Sequence, residues 1–188
     1  STKLLSFGSK STNDVSYGVH TVSLQGSNFN LYVKTNPPAG GHRPTLITLT
    51  FPKLILPKEY REVFAASILV ALELGLSLSQ IQTSLQTNYF TPKGRSSLFA
   101  GINGSDIIDS TYNASRVSIE AFLSLVDTLK KETGRPVVFL MGDMRELGEE
   151  ARIEHEAVAQ PILGIVDYLY LVGPLTREYI LPIVQTQE

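Results

Sequence analysis

The 188-residue chain has no cysteine, which excludes disulfides and thiolate metal sites. Charge of one sign is nearly absent as a surplus: 16 Lys and Arg against 18 Asp and Glu leave a net charge of −2. That balance gives no electrostatic basis for nucleic-acid binding or for a polybasic membrane contact. No apolar run approaches the roughly 20 residues a membrane helix requires. Ser1-Thr2-Lys3 has no signal-peptide hydrophobic region behind it, and the missing initial Met suggests a processed end or an excised piece. The expected location is cytoplasmic. The phosphate-loop pattern GxxxxGK(S/T) is absent, and Gly40-Gly41, with no helix directly after it, reads as a plain hairpin loop. No GxSxG occurs either, so nucleophilic hydrolysis lacks support. His155 has no second His three or four positions away to complete a metal site, and reads as a surface or interdomain hydrogen-bonding residue. His20 and His42 are isolated and read as solvent-facing.

What is present is 43% hydrophobic residues, enough for a real core in one large domain or two small ones. Residues 1–51 read as β-rich. A short strand at 4–8 precedes alternating segments at 17–24 and 29–33, on either side of the hairpin signal Gly26-Ser27-Asn28. A turn-rich stretch at 36–44 leads to a β-branched strand at 45–51. Over 58–75, Val63, Phe64, Ile68, Leu69, Val70, Leu72 and Leu74 mark an amphipathic helix stopped by Gly75. A shorter helix at 78–85 has Ser77 or Ser79 as its N-cap. Residues 86–95 break periodicity and mark a domain boundary.

Beyond that boundary, segments 97–100 and 105–108 can pair across Gly101 to Gly104. The stretch 104–148 then reads as a βαβ unit. Its helix carries Val117, Ile119, Phe122, Leu123, Leu125, Val126 and Leu129 and closes on Lys130, Lys131 and Gly134. The apolar run 136–141 fits a parallel strand covered on both faces. A helix at 149–163, a strand at 167–173 and a final helix at 177–184 follow. Three successive β-α units predict an α/β domain with an open, mostly parallel sheet. If the strands at 105–108 and 136–141 are neighbours, the loops 109–113 and 143–146 emerge at one carboxyl-end edge, where such sheets bind ligands. The same residues also read as plain caps, Asp109 of the helix and Asp143 of a turn, and geometry alone leaves both readings open. The acidic run Glu146, Glu149, Glu150, Glu154 and Glu156 reads as a solvated helix face.

IIDSTYNAS at 107–115 resembles a signature of the Mur ligase family. MGDMRELGEE at 141–150, with His155, is similar to a second family pattern, characteristic of the branch that adds D-alanyl-D-alanine to a UDP-muramoyl tripeptide. Pro92-Lys93-Gly94-Arg95 is similar to the segment opening the family's C-terminal domain. LPKEYREVFAASILVALELG at 56–75 is similar to the helix closing its central ATPase domain. The resemblance runs from about residue 7 to residue 173. It implies a small α+β remnant of the central domain over 1–88 and a Rossmann-like C-terminal domain over 92–188 that reads as truncated.

The activity so implied is an ATP-dependent amide ligase of peptidoglycan-precursor synthesis. ATP phosphorylates a carboxylate of a UDP-N-acetylmuramoyl peptide, and D-alanyl-D-alanine or a similar amino compound attacks the acyl phosphate. By resemblance, Arg95, Asp109, Tyr112 and Asn113 face the nucleotide, with Arg61 adding a stacking or phosphate contact. Asp143, Met144 and Glu146 face the incoming dipeptide. Mg2+ belongs to groups upstream of this chain, and the resemblance assigns no catalytic residue and no metal ligand within it. Departures are also visible: Tyr60, Arg61 and Phe64 stand where relatives carry adenine-holding asparagines, Ser110 replaces an acid, and Ser115-Arg116 replaces Asn-Pro. Without a phosphate loop the isolated chain is expected to lack ligation. Two alternatives are a ligase of the same superfamily acting on another carboxylate, and a non-enzymatic binding module, which Tyr60, Arg61 and Phe64 favour. The sequence assigns no oligomeric state.

Overall fold

The computed structural model describes residues 3–34 and 44–186. The Gly40-Gly41 loop and His42 lie outside the described residues. Two compact units, Ser1–Thr91 and Pro92–Glu188, make up the chain.

In the first unit, β1 (Phe7–Gly8) lies parallel to β2 (Val15–Ser23). β2 pairs antiparallel with β3 (Gly26–Lys34), and β3 with β4 (Pro44–Pro52). Alternation puts Val15, Phe29, Leu31, Val33, Ile47, Leu49 and Phe51 on one buried face. Two helices cover it, α1 (Tyr60–Glu73) through Phe64, Ala65, Ile68 and Leu69, and α2 (Leu78–Asn88) through Ile81. Phe51 stacks on Phe64 with ring centroids 4.9 Å apart, and Phe29 and Tyr89 meet Phe64 edge-on. Ser77, not Ser79, caps α2, in a reciprocal box with Gln80.

Two expectations change here. Ser23 pairs with Gly26, so the turn is Leu24-Gln25 and the Gly-Ser-Asn run lies inside β3. Glycine is needed at 26 because its backbone, at φ +145°, presses on the Phe51 carbonyl, where a Cβ would overlap. His20 is half-buried rather than solvent-facing: its ring lies 4.5 Å from that of Phe29, and Nε2 donates to Leu56 O at 3.0 Å. A β-bulge between Tyr17 and His20 is the cause, since one extra residue turns both side chains to the core side.

In the second unit, β5 (Ser97–Ala100) pairs antiparallel with β6 (Asp106–Asp109). α3 (Arg116–Thr133) begins at a Ser115–Ser118 capping box and ends at Gly134, φ +66°. β7 (Val138–Gly142), α4 (Ala151–Leu163) and β8 (Tyr168–Val172) follow, with β8 parallel to β7. A π-helical turn, Thr176–Ile180, runs into α5 (Leu181–Gln185). The core unites Ile119 and Leu123 of α3, Met141, Met144, Val158, Ala159 and Ile162 of α4, and Ile180. The architecture is α/β, as expected.

The strand neighbours differ from those expected. Among the described residues β6 pairs with β5 and β7 with β8, so no ladder joins β6 to β7. Their amino ends are instead bridged by Arg135, which pairs with Asp106 and donates from Nη2 to Gly104 O at 2.7 Å. β7 is covered on one face only. Phe139 and Met141 meet the core, whereas Val138 and Leu140 remain 63% and 64% exposed, because α3, α4 and the closing turns all pack on the same side. No helix among the described residues is long and apolar enough to cross a membrane.

Candidate functional site

Each candidate loop of the second unit follows the carboxyl end of a strand. The first leaves β6. Asp109 closes an Asx turn, its Oδ1 accepting from Thr111 N at 3.0 Å and Thr111 Oγ1 at 2.7 Å. Ser115 is therefore the helix cap, not Asp109. Tyr112 N donates to Gly94 O at 3.1 Å, and a Cβ on Gly94 (φ +76°) would crowd that amide. This close approach carries the next residue over the tyrosine: the Arg95 guanidinium carbon lies 4.2 Å from the Tyr112 ring centroid. Both side chains are exposed, as is Asn113, whose Oδ1 accepts from Ala114 N at 2.9 Å. Arg95, Asp109, Tyr112 and Asn113 thus share one loop cluster. It presents a cation on an aromatic face, a chemistry suited to a phosphate or a planar base.

The second loop leaves β7. Asp143 Oδ1 accepts from Thr176 N at 2.8 Å, so the carboxylate caps the closing helical turn rather than its own loop. Gly173, φ +119°, lies flush against that carboxylate and leaves no room for a Cβ. Met144 is fully buried and packs in the core, so its side chain is withdrawn from solvent. Its N–H donates to His155 Nε2 at 3.1 Å, and His155 Nδ1 donates to Ala151 O at 2.6 Å. His155 is completely buried, not a surface residue. Its spacing held the signal, since 155, 158, 159 and 162 form one helical stripe, all buried. Glu146 sits at φ +63° with its side chain exposed, next to exposed Arg145.

Arg61 belongs to the first unit, where its guanidinium carbon lies 4.6 Å over the Tyr17 ring. Arg61 Nε and Glu59 Oε2 are buried without hydrogen-bond partners among the described residues. Burial, reinforced by Glu62, holds the Tyr17 phenol above its ordinary range. No group of three or more His, Asp or Glu among the described residues could hold a metal ion. The acidic run is largely solvated, with Glu154 paired to Arg116 and Glu156 to Arg152.

Residues 94–183, which contain both loops, match the model of the "Mur ligase, glutamate ligase domain". That match covers 90 of the 188 residues, just under half of the chain. The UDP-N-acetylmuramoyl-tripeptide–D-alanyl-D-alanine ligase of Synechocystis sp. is 29% identical over 111 residues, 58% of this chain and 23% of that protein. The enzyme of the same name from Mycobacterium bovis is 31% identical over 107 residues, 55% of this chain and 21% of its own length. The matched region therefore spans less than a quarter of these curated relatives. The fold extends the likeness to nearly the whole chain. MurF from Acinetobacter baumannii superposes with a TM-score of 0.71 and 22% identity, over 98% of this chain and 41% of that one. MurF ligase from Thermotoga maritima in complex with ADP gives 0.71 and 20%, over 93% and 36%. The matched segment thus carries both loops, and the fold of the chain is that of these neighbours.

Proposed function

We propose that the chain is part of an ATP-dependent, cytoplasmic ligase that joins D-alanyl-D-alanine to a UDP-N-acetylmuramoyl peptide. In the reaction a carboxylate oxygen of the peptide attacks the terminal phosphorus of ATP and ADP leaves. The amine of the dipeptide then attacks the acyl carbon, the C–O bond to phosphate breaks, and the amine loses a proton. Positioning and charge stabilisation carry most of such a phosphoryl transfer. Within this chain, Arg95 would take phosphate oxygens, with Tyr112 beneath it restricting its rotamers. Asp109 and Asn113 would face the ribose side. Asp143 and the Met144 backbone would shape the wall on which the acceptor rests, with Glu146 exposed upon it. The described residues hold no donor cluster for Mg2+.

The observation that carries this reading is Arg95 held over Tyr112 in a domain that matches the Mur ligases. Its test is nucleotide titration of the native protein by calorimetry. Arg95→Ala should weaken ATP binding about tenfold or more, the worth of a charge-assisted hydrogen bond. Equal affinity in wild type and variant would remove Arg95 from the nucleotide site. ATP binding with no ligation of any dipeptide would favour the binding-module alternative.

A further inference from the structure

His155 is an expensive way to fill a core position. A buried imidazole must satisfy both nitrogens, whereas a leucine would occupy the stripe formed with Val158, Ala159 and Ile162 without polar cost. Its hydrogen bonds admit a single tautomer. Ala151 O can only accept, so Nδ1 carries the proton, and Met144 N–H can only donate, so Nε2 is the acceptor. What histidine adds is thus one directed acceptor for the backbone of the loop leaving β7. The preceding residue is tied to a different element, Asp143 to Thr176 N. With two consecutive residues anchored, the chain leaves through a left-handed Glu146 (φ +63°), a conformation an L residue holds only where its surroundings impose it. The outcome is an exposed pair of opposite charges, Arg145 and Glu146, to which no hydrogen bond or ion pair is assigned among the described residues.

A dipeptide acceptor carries the complementary pair, a carboxylate at one end and an amino group at the other. Resting on the ligase reading above, we propose that Arg145 binds the carboxylate of the incoming dipeptide, that Glu146 faces its amino end, and that His155 is the residue positioning both. Arg145 is the specificity element, because a fork-shaped guanidinium matches a carboxylate and not its amide. His155 acts only through the Met144 amide.

The test compares D-alanyl-D-alanine with its C-terminal amide as acceptors for the native ligase. Wild type should prefer the free acid by about tenfold or more in kcat/KM, the worth of a charge-assisted pair. Arg145→Ala should use both acceptors equally, with the KM for ATP unchanged. His155→Leu should raise the KM for the dipeptide while leaving that for ATP, and should speed hydrogen exchange at the Met144 amide. His155→Gln, whose amide can both donate and accept, should recover most of the acceptor KM. An active wild type whose acid-over-amide preference survives Arg145→Ala overturns the carboxylate contact alone. A His155→Leu protein with altered melting but unaltered acceptor KM overturns the positioning role. A wild type that ligates no dipeptide at all sinks the ligase reading, and the clamp with it.

Discussion

Glu146 pays for its place in the backbone. At φ +63° the Cβ of an L residue crowds its own carbonyl, at a cost of about 1–2 kcal/mol relative to an unstrained conformation. Glycine removes that crowding but has more freedom to lose on folding. Glu146→Gly is therefore expected to stabilise the protein by about 0.5–1 kcal/mol in urea denaturation, while weakening use of the dipeptide acceptor. Loss of stability in this variant would mean that the carboxylate has a structural partner. At this scale the motifs picked out two loops at strand ends, but not the direction of every side chain in them. The Met144 side chain, expected to face the substrate, lies in the core, and Asp143 bonds Thr176, 33 residues away.

Among the elements, two helices start on the same device. Ser77 and Ser115 each make the reciprocal box with the third residue of the helix, Gln80 and Ser118. Replacing either serine by alanine should cost about 1 kcal/mol of stability in denaturant titrations. The closing helical segment is capped from a distance, which gives a sharper test. Asp143→Ala should also cost about 1 kcal/mol. Gly173→Ala should cost about 2 kcal/mol or more, because its Cβ would occupy the space of the Asp143 carboxylate. The double variant should lose clearly less than the two single losses added together, since truncating Asp143 makes that room. Strict additivity would show that the two residues do not share the space.

Across the whole molecule, the displaced ionisations agree on acid sensitivity. Burial holds His20 below the ordinary imidazole range, with its bond to Leu56 O opposing this only in part. The unfolded chain then takes up a proton near pH 6.5 that the folded protein resists, so stability falls as pH drops below that value. Hydrogen bonds from the Ser6 amide and hydroxyl hold the Asp14 carboxyl below its ordinary range. Lys130 and the Val137 amide do the same for Asp167. The stability these carboxylates contribute is present above about pH 4 and is lost as pH falls through their lowered values. Melting temperature should accordingly decline in two stages, and His20→Leu should flatten the stage below pH 6.5 whatever it does to absolute stability. An unchanged slope in that variant would place the early decline elsewhere.

Nearly every helix and strand is legible in the chain's own apolar pattern, because hydrophobic period is a local property read over ten to twenty residues. The same pattern puts Asp109, Tyr112 and Asn113 in a loop, since the apolar run before them ends in polar residues, whereas Arg95 is marked only by the segment that resembles the family's. The tertiary structure decided the rest. A one-residue bulge moved His20 to the core side without disturbing the pattern around it. Packing of three helical elements on one side of β7 left Val138 and Leu140 exposed, where a run of apolar residues promised two covered faces. The bond of Asp143 to Thr176 spans 33 residues, and that of Met144 to His155 ties a loop back to the next helix, 11 residues on. Such pairings are chosen by which surfaces meet during folding, and no local period records them.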